Sequence, residues 1–297
     1  MKNPVFTGAN VAIVTPLTEN GLNLDGLGEL IDFQIDNGID SITVCGTTGE
    51  SATLNHEEHC RVIEYSLKKI AGRVPLIAGT GSNDTTYALE LSKFAESVGA
   101  DGLLMVTPYY NKTTQRGLIN HYTYIADRVN IPIIVYNVPS RTGLCCKSDT
   151  YLELSKHPNI NGVKEASGNL SLVVETLGKC GDELNIWSGE DDQVIPMMSL
   201  GAKGVISTAA NILPAEMSKM CHLALDGKFA DAAKYQIKLH EIICALFKEV
   251  NPIPVKTALK LMGRDNGYLR MPLYEIAPEN RDLLVRAMKN IGIKIVG

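Results

Sequence analysis

Lys164 closes an otherwise apolar run, Ile160-Asn161-Gly162-Val163-Lys164. If that run is a strand, period-2 alternation puts Lys164 on the face opposite Val163. With Val163 packed against a helix layer, the lysine points the other way, toward the end of the sheet. An amine desolvated there loses basicity, because burial disfavours the ammonium form. It could then attack a carbonyl and form a Schiff base. The competing reading is a rim lysine that snorkels into water. Tyr136 closes a similar run, Ile133-Ile134-Val135-Tyr136. On the neighbouring strand, ~4.8 Å away, its phenol would stand close to the amine if Ile134 and Val138 share its face. Carbinolamine chemistry needs proton transfers, which a phenol can carry. Alone, Tyr136 reads equally well as a core tyrosine with a satisfied hydroxyl.

Gly46-Thr47-Thr48-Gly49-Glu50 can cradle an anion, since glycines let backbone amides converge and two hydroxyls suit a carboxylate. It lacks the GK[ST] continuation of a phosphate loop, and a tight turn built for geometry alone explains it as well. Arg141, in Val138-Pro139-Ser140-Arg141-Thr142-Gly143, offers a fork for a second carboxylate, or is a surface arginine. His56 and His59 are spaced i, i+3 without acidic or cysteine partners at ligand spacing, so they read as helix-surface histidines and not as metal ligands.

These residues need a scaffold that brings strand ends together. Eight short, apolar, β-branched runs recur along the chain: Val11–Val14, Ile42–Cys45, Pro75–Ala78, Gly102–Val106, Ile133–Tyr136, Ile160–Lys164, Asn185–Ser188 and Gly204–Ser207. Continuous apolar character is the mark of strands buried on both faces in a parallel sheet. Helical periodicity fills the intervals, as at Leu27, Leu30, Ile31, Phe33 and Ile35. Asn55 caps a helix running through His59 to Ile70, and Asn83-Asp84 caps the next. Eight βα units predict an α/β fold, a (β/α)8 TIM barrel over residues 1-226, with a doubly wound sheet as the alternative. Active groups would then sit at the C-terminal strand ends, where all the candidates above fall. After Ser207 the strands stop. Pro214–Leu225, Phe229–Val250, Pro254–Met262 and Arg281–Ile291 read as helices, so residues 227-297 are expected to form a C-terminal helical extension. With no low-complexity linker between them, this extension should pack on the barrel.

At 297 residues, with 45% hydrophobic and 21% charged residues, the composition is that of a globular protein with a large core. A net charge of −5 without a Lys/Arg-rich stretch argues against a nucleic-acid partner. No apolar run approaches the ~18 residues of a membrane helix, and the N-terminus lacks the apolar core of a signal peptide. Seven cysteines without CxxC spacing, the vicinal pair Cys145-Cys146 among them, suggest reduced thiols in a cytoplasmic protein.

The motifs Gly46–Glu50, Tyr136–Gly143 and Gly162-Val163-Lys164-Glu165-Ala166 resemble those of the dihydrodipicolinate synthase/N-acetylneuraminate lyase family. The likeness continues through Asn251-Pro252-Ile253-Pro254-Val255-Lys256 and Leu269-Arg270-Met271-Pro272-Leu273. It implies a Schiff-base-forming lyase that condenses pyruvate with L-aspartate 4-semialdehyde toward diaminopimelate and lysine. An alternative within the family is an aldolase acting on a 2-keto-3-deoxy sugar acid or N-acetylneuraminate. The resemblance further implies that Lys164 forms the imine and that Tyr136, Thr47 and Tyr110 make a proton relay, Tyr110 from a neighbouring subunit. Thr48 and Ile206 would hold pyruvate, and Arg141 the carboxylate of the semialdehyde. No cofactor or metal is expected, because the lysine itself is the electron sink. A homo-oligomer, usually a homotetramer, follows from the same likeness. In lysine-inhibited members the effector sits at positions matching Ser51, Ala52, His56, Asn83, Tyr87 and Tyr109. Tyr87 stands where those members carry a glutamate, so inhibition here is expected to be weak or absent.

Overall fold

The computed structural model describes residues 2–296. Eight parallel strands form a closed barrel: β1 Gly8–Ala12, β2 Ser41–Val44, β3 Leu76–Gly79, β4 Gly102–Val106, β5 Ile133–Asn137, β6 Ile160–Glu165, β7 Asn185–Ser188 and β8 Gly204–Ser207. Each strand pairs with its neighbours in sequence, and β8 closes on β1. The expected (β/α)8 barrel is therefore the observed one, and the doubly wound alternative falls.

Alternation along each strand splits the apolar residues into two cores. Val11, Val44, Met105, Val135, Val163 and Val205 point out to the helices, where Leu30, Val62, Leu118 and Met217 also pack. Ala12, Ile77, Leu104, Ile134, Tyr136, Trp187 and Ile206 fill the barrel, with Phe6 stacked on Trp187 at 5.0 Å. Val163 thus faces the helices, and Lys164 faces inward with Tyr136 directly across the ladder.

The first strand begins and ends earlier than the apolar pattern suggests. The Val14 amide donates to the Asn211 side chain, so the chain has left the ladder by that point. Between strands run helices α1 Leu24–Asp36, α2 His56–Ile70, α3 Thr85–Val98 and α4 Gln115–Ala126. A one-turn α5 Pro139–Thr142 precedes α6 Ser148–Ser155, α7 Leu170–Cys180, α8 Val194–Ser199 and α9 Pro214–Leu225. Asn55 caps α2 in a capping box with Glu58, and Asp84 caps α3.

Three further helices follow: α10 Phe229–Leu246, α11 Ile253–Leu261 and α12 Pro278–Asn290. The first, α10, ends at Leu246 and not at Val250, because the chain must turn before Pro252. These helices reach the barrel mouth. Gln236 on α10 donates to the Asp191 carbonyl at 2.9 Å, and α11 carries Lys256 into the barrel wall.

Candidate active site

The C-terminal strand ends converge on a cavity of about 400 Å³. Thr47, Val138, Arg141, Tyr109, Tyr87 and Asn251 are among its lining residues. Lys164, only 6% exposed, holds its Nζ 4.3 Å from the centre of the Tyr136 ring. Gly189 makes room for it, since a Cβ there would meet the Lys164 stem at 3.1 Å. Desolvation brings the Lys164 ammonium down to about 8, and Arg141 adds to that push. Asp191 and, more weakly, Glu190 pull the other way. Burial pushes the Tyr136 phenol up to about 12, with Arg141 and a hydrogen bond from Thr47 opposing the rise. The pair therefore presents an amine that loses its proton near pH 8, well below an ordinary lysine, beside a phenol that keeps one. That combination suits addition to a carbonyl and protonation of the resulting oxygen.

Thr47 and Thr48 sit on a turn closed by Gly49 N–H to the Gly46 carbonyl at 3.1 Å. Gly49 is required by close approach, as a Cβ there would lie 3.2 Å from the Cys45 amide and the Ile13 carbonyl. The Thr48 hydroxyl accepts from Asn251 Nδ2 at 2.9 Å and lies 3.3 Å from the Thr208 hydroxyl. Glu50, in the left-handed region at φ 54°, turns its carboxylate inward to Lys256 Nζ at 2.7 Å. Both side chains of that pair are essentially unexposed, and Lys256 also donates to the Thr15 carbonyl. Arg141 lies on the rim, exposed on α5, and donates to the Asn251 carbonyl at 3.2 Å. Ile206 is buried on the inner face of β8.

Part of the expected constellation comes together: Lys164 stands against Tyr136, Thr47 bonds that phenol, and Thr47 and Arg141 line the cavity, while Thr48 follows on the same turn and Ile206 packs with Tyr136 in the inner core. Tyr110 does not join it within this chain. It projects outward, 91% exposed, with φ at +65°. Ser51, Ala52, Tyr87 and Tyr109 line the same cavity farther out. His56 lies against Tyr87 with ring centres 5.9 Å apart, and the Asn83 carbonyl accepts from Asn111. His59 needs correction. It is buried, not on the helix surface, and its Nε2 bonds the Gly79 carbonyl at 2.7 Å. The helix face that carries it is the inner one, so it ties α2 to the end of β3.

Four contributors have roles that their place along the chain does not give: Glu50 with Lys256, Asn251, Glu190 and Asp191. The first two join segments about 200 residues apart, which no local pattern reveals. A lysine in the apolar stretch Ile253–Leu261 was the available signal. Burial pushes the Glu190 carboxyl up to about 7, with Asp192 and Asp191 adding to it. Asp191 Oδ2 accepts from the Thr208 and Ala209 amides, and burial raises its carboxyl too.

Comparison with known proteins gives the same picture at the level of the whole chain. A model of the dihydrodipicolinate synthetase family matches residues 5–291. A 4-hydroxy-tetrahydrodipicolinate synthase from a Thermoanaerobacter species is 53% identical over 291 residues, covering 98% of both chains. The crystal structure of dihydrodipicolinate synthase from Aquifex aeolicus superposes with a TM-score of 0.97 at 45% identity, over 98% of this chain and 100% of that one. The enzyme from Cyanidioschyzon merolae, solved with lysine bound, gives 0.95 at 36% identity, over 98% and 100%. Likeness of this extent, on a barrel that opposes a buried amine to a phenol, leaves one assignment: the chain belongs to the dihydrodipicolinate synthetase family.

Proposed function

We propose that this chain is a Schiff-base-forming lyase that condenses pyruvate with L-aspartate 4-semialdehyde to 4-hydroxy-tetrahydrodipicolinate, on the route to diaminopimelate and lysine. The observation that carries the reading is the desolvated Lys164 amine held 4.3 Å from the Tyr136 ring centre. Its amine adds to the pyruvate keto carbon, and the carbinolamine oxygen leaves as water. Loss of a methyl proton turns the imine into an enamine, whose carbon bonds to the aldehyde carbon while the aldehyde oxygen takes a proton. The substrate's own amine then adds at the imine carbon, expels Lys164 and closes the ring.

In this reading Tyr136, with Thr47 and with Tyr110 from a neighbouring copy, carries the protons. Thr48 and its loop, with Ile206, hold pyruvate's carboxylate side, and Arg141 takes the carboxylate of the semialdehyde. A cytoplasmic homotetramer belongs to the same reading. Ser51, Ala52, His56, Asn83, Tyr87 and Tyr109 would form an outer lysine pocket, weakened by the neutral Tyr87.

Borohydride reduction in the presence of pyruvate tests the chemistry by intact mass. The chain should gain one reduced pyruvyl group, lost in Lys164→Ala. No adduct on the unsubstituted chain would overturn the mechanism. Turnover of sugar aldehydes alone, in a panel offered with pyruvate, would replace the synthase with an aldolase.

A further inference from the structure

Behind Lys164 and Tyr136, on the outer face of the same two strands, lies a buried polar cluster with no part in the chemistry above. Glu165 and Asn137 end β6 and β5 and stand opposite one another, one step beyond the Tyr136–Lys164 pair. Three donors make four hydrogen bonds to the two Glu165 oxygens. Asn137 Nδ2 spans both at 3.1 and 3.0 Å, the Tyr151 hydroxyl on α6 donates at 2.9 Å, and the Ser167 amide at 2.8 Å. Asn137 Oδ1 is fixed in turn by the Cys146 amide at 3.0 Å, so its amide cannot rotate away. Glu165 is 3% exposed, Asn137 wholly buried and Tyr151 1% exposed. A carboxylate removed from water is retained only where donors replace its hydration.

The other end of this strand pair is irregular. Ile133 pairs with Ile160 but Ile134 pairs with Gly162, which leaves Asn161 as an extra residue. The bulge disrupts the ladder locally at that end, and a one-residue slip at the other would turn Lys164 onto the helix-facing side. We propose that Glu165 is a positioning residue: clamped by Asn137, Tyr151 and the Ser167 amide, it locks the ends of β5 and β6 so that Lys164 stands over Tyr136. It touches no substrate and acts through the strand ends. The catalytic consequence rests on the Schiff-base reading, whereas the clamp itself does not.

Glu165→Gln keeps the shape but turns a donor toward the Asn137 amide. Circular dichroism should be unchanged, while kcat falls on the order of 10- to 100-fold, the effect of a misplaced reacting group, with KM for pyruvate little moved. Asn137→Asp, which sets two carboxylates together, should fall at least as far. The double variant Asn137→Asp/Glu165→Gln exchanges donor and acceptor and should recover most of the lost rate. Hydrogen exchange over residues 136–146 and 164–168 reads the clamp without any turnover, and should speed up in each single variant and slow again in the double. Unchanged exchange and kcat in Glu165→Gln, or a double variant as slow as the singles combined, would overturn the proposal. A chain that traps no pyruvate while the exchange pattern holds would instead sink the chemistry and leave the clamp standing.

Discussion

At the scale of single residues, burial sets two proton affinities apart, Lys164 lowered and Tyr136 raised. With its ammonium brought down to about 8, Lys164 gives up its proton more readily than an ordinary lysine, and imine formation should climb as pH rises through 8. Asp191 and then Glu190 hold that value up, against desolvation and Arg141. Asp191 also caps the turn after β8, so Glu190 is the cleaner group to remove. Glu190→Gln takes away a negative charge, disfavours the ammonium further, and should move the rising limb to lower pH. The pH dependence of pyruvate trapping reads this directly; a limb that stays put or moves up would show that Glu190 does not sense the amine. In the proposed mechanism Arg141 serves the other substrate. Arg141→Ala should lower kcat/KM for the semialdehyde while pyruvate trapping continues, and equal loss of both would move Arg141 to the pyruvate side. The facing of Lys164 and Tyr136 was legible in the sequence because alternation along an apolar run states which face its polar last residue takes, although each strand runs one residue further, to Glu165 and Asn137. Glu190 stood in the same kind of position, yet its displaced proton affinity depends on Asp191, Asp192 and burial, which only the folded chain brings together.

At the scale of elements, the strands and most helices follow from periodicity, with ends shifted where a tertiary bond wins. Val14 leaves β1 for Asn211, and α10 stops at Leu246 ahead of Pro252. What periodicity could not supply is the link between the threonine turn and the C-terminal helices. Glu50 follows that turn directly, and its carboxylate takes Lys256 Nζ on one oxygen and the Arg270 amide on the other. Arg270 then grips Glu58 on α2, while Asn251 donates to Thr48. The extension therefore reaches the threonine turn at several points, which accounts for its packing against the barrel. Because both members of the Glu50–Lys256 pair are out of water, removing one leaves the other uncompensated. Lys256→Met, close in volume, should cost about 3–5 kcal/mol of stability, and Lys256→Met/Glu50→Gln should recover part of it. Urea unfolding measures both. A single variant within about 1 kcal/mol of the parent would mean the pair contributes no more than an exposed one.

At the scale of the whole molecule, the outer rim of the cavity exposes several large apolar side chains. Tyr110 is 91% exposed, and Met271 and Tyr274 are 85% and 76% exposed on the segment whose Pro272 and Leu273 line the same cavity as Tyr109. Adjacent exposed aromatics and a methionine are the composition of an interface core. We expect a second copy to cover this face and to bring its Tyr110 toward Thr47 and Tyr136. Sedimentation that shows a fully active monomer would remove Tyr110 from the relay. The same interface would enclose the outer pocket of Ser51, Ala52, His56, Asn83, Tyr87 and Tyr109, where lysine would bind. Its ammonium needs a charge-assisted partner, typically worth about 1.5–3 kcal/mol. Tyr87 offers a phenol that burial pushes up, and so keeps neutral, together with a ring face. A cation over such a ring gains only about 0.5–2 kcal/mol. His56 does not supply the missing charge: it packs on the Tyr87 ring, and as a cation it would repel the ammonium. The shortfall of about 1–3 kcal/mol weakens lysine roughly 10- to 100-fold relative to a site with a carboxylate at position 87. Tyr87→Glu should therefore create or sharpen inhibition, while the parent chain stays active at lysine concentrations that silence the variant. A steady-state titration of both decides it, and half-inhibition of the parent at sub-millimolar lysine would show that the phenol is no obstacle.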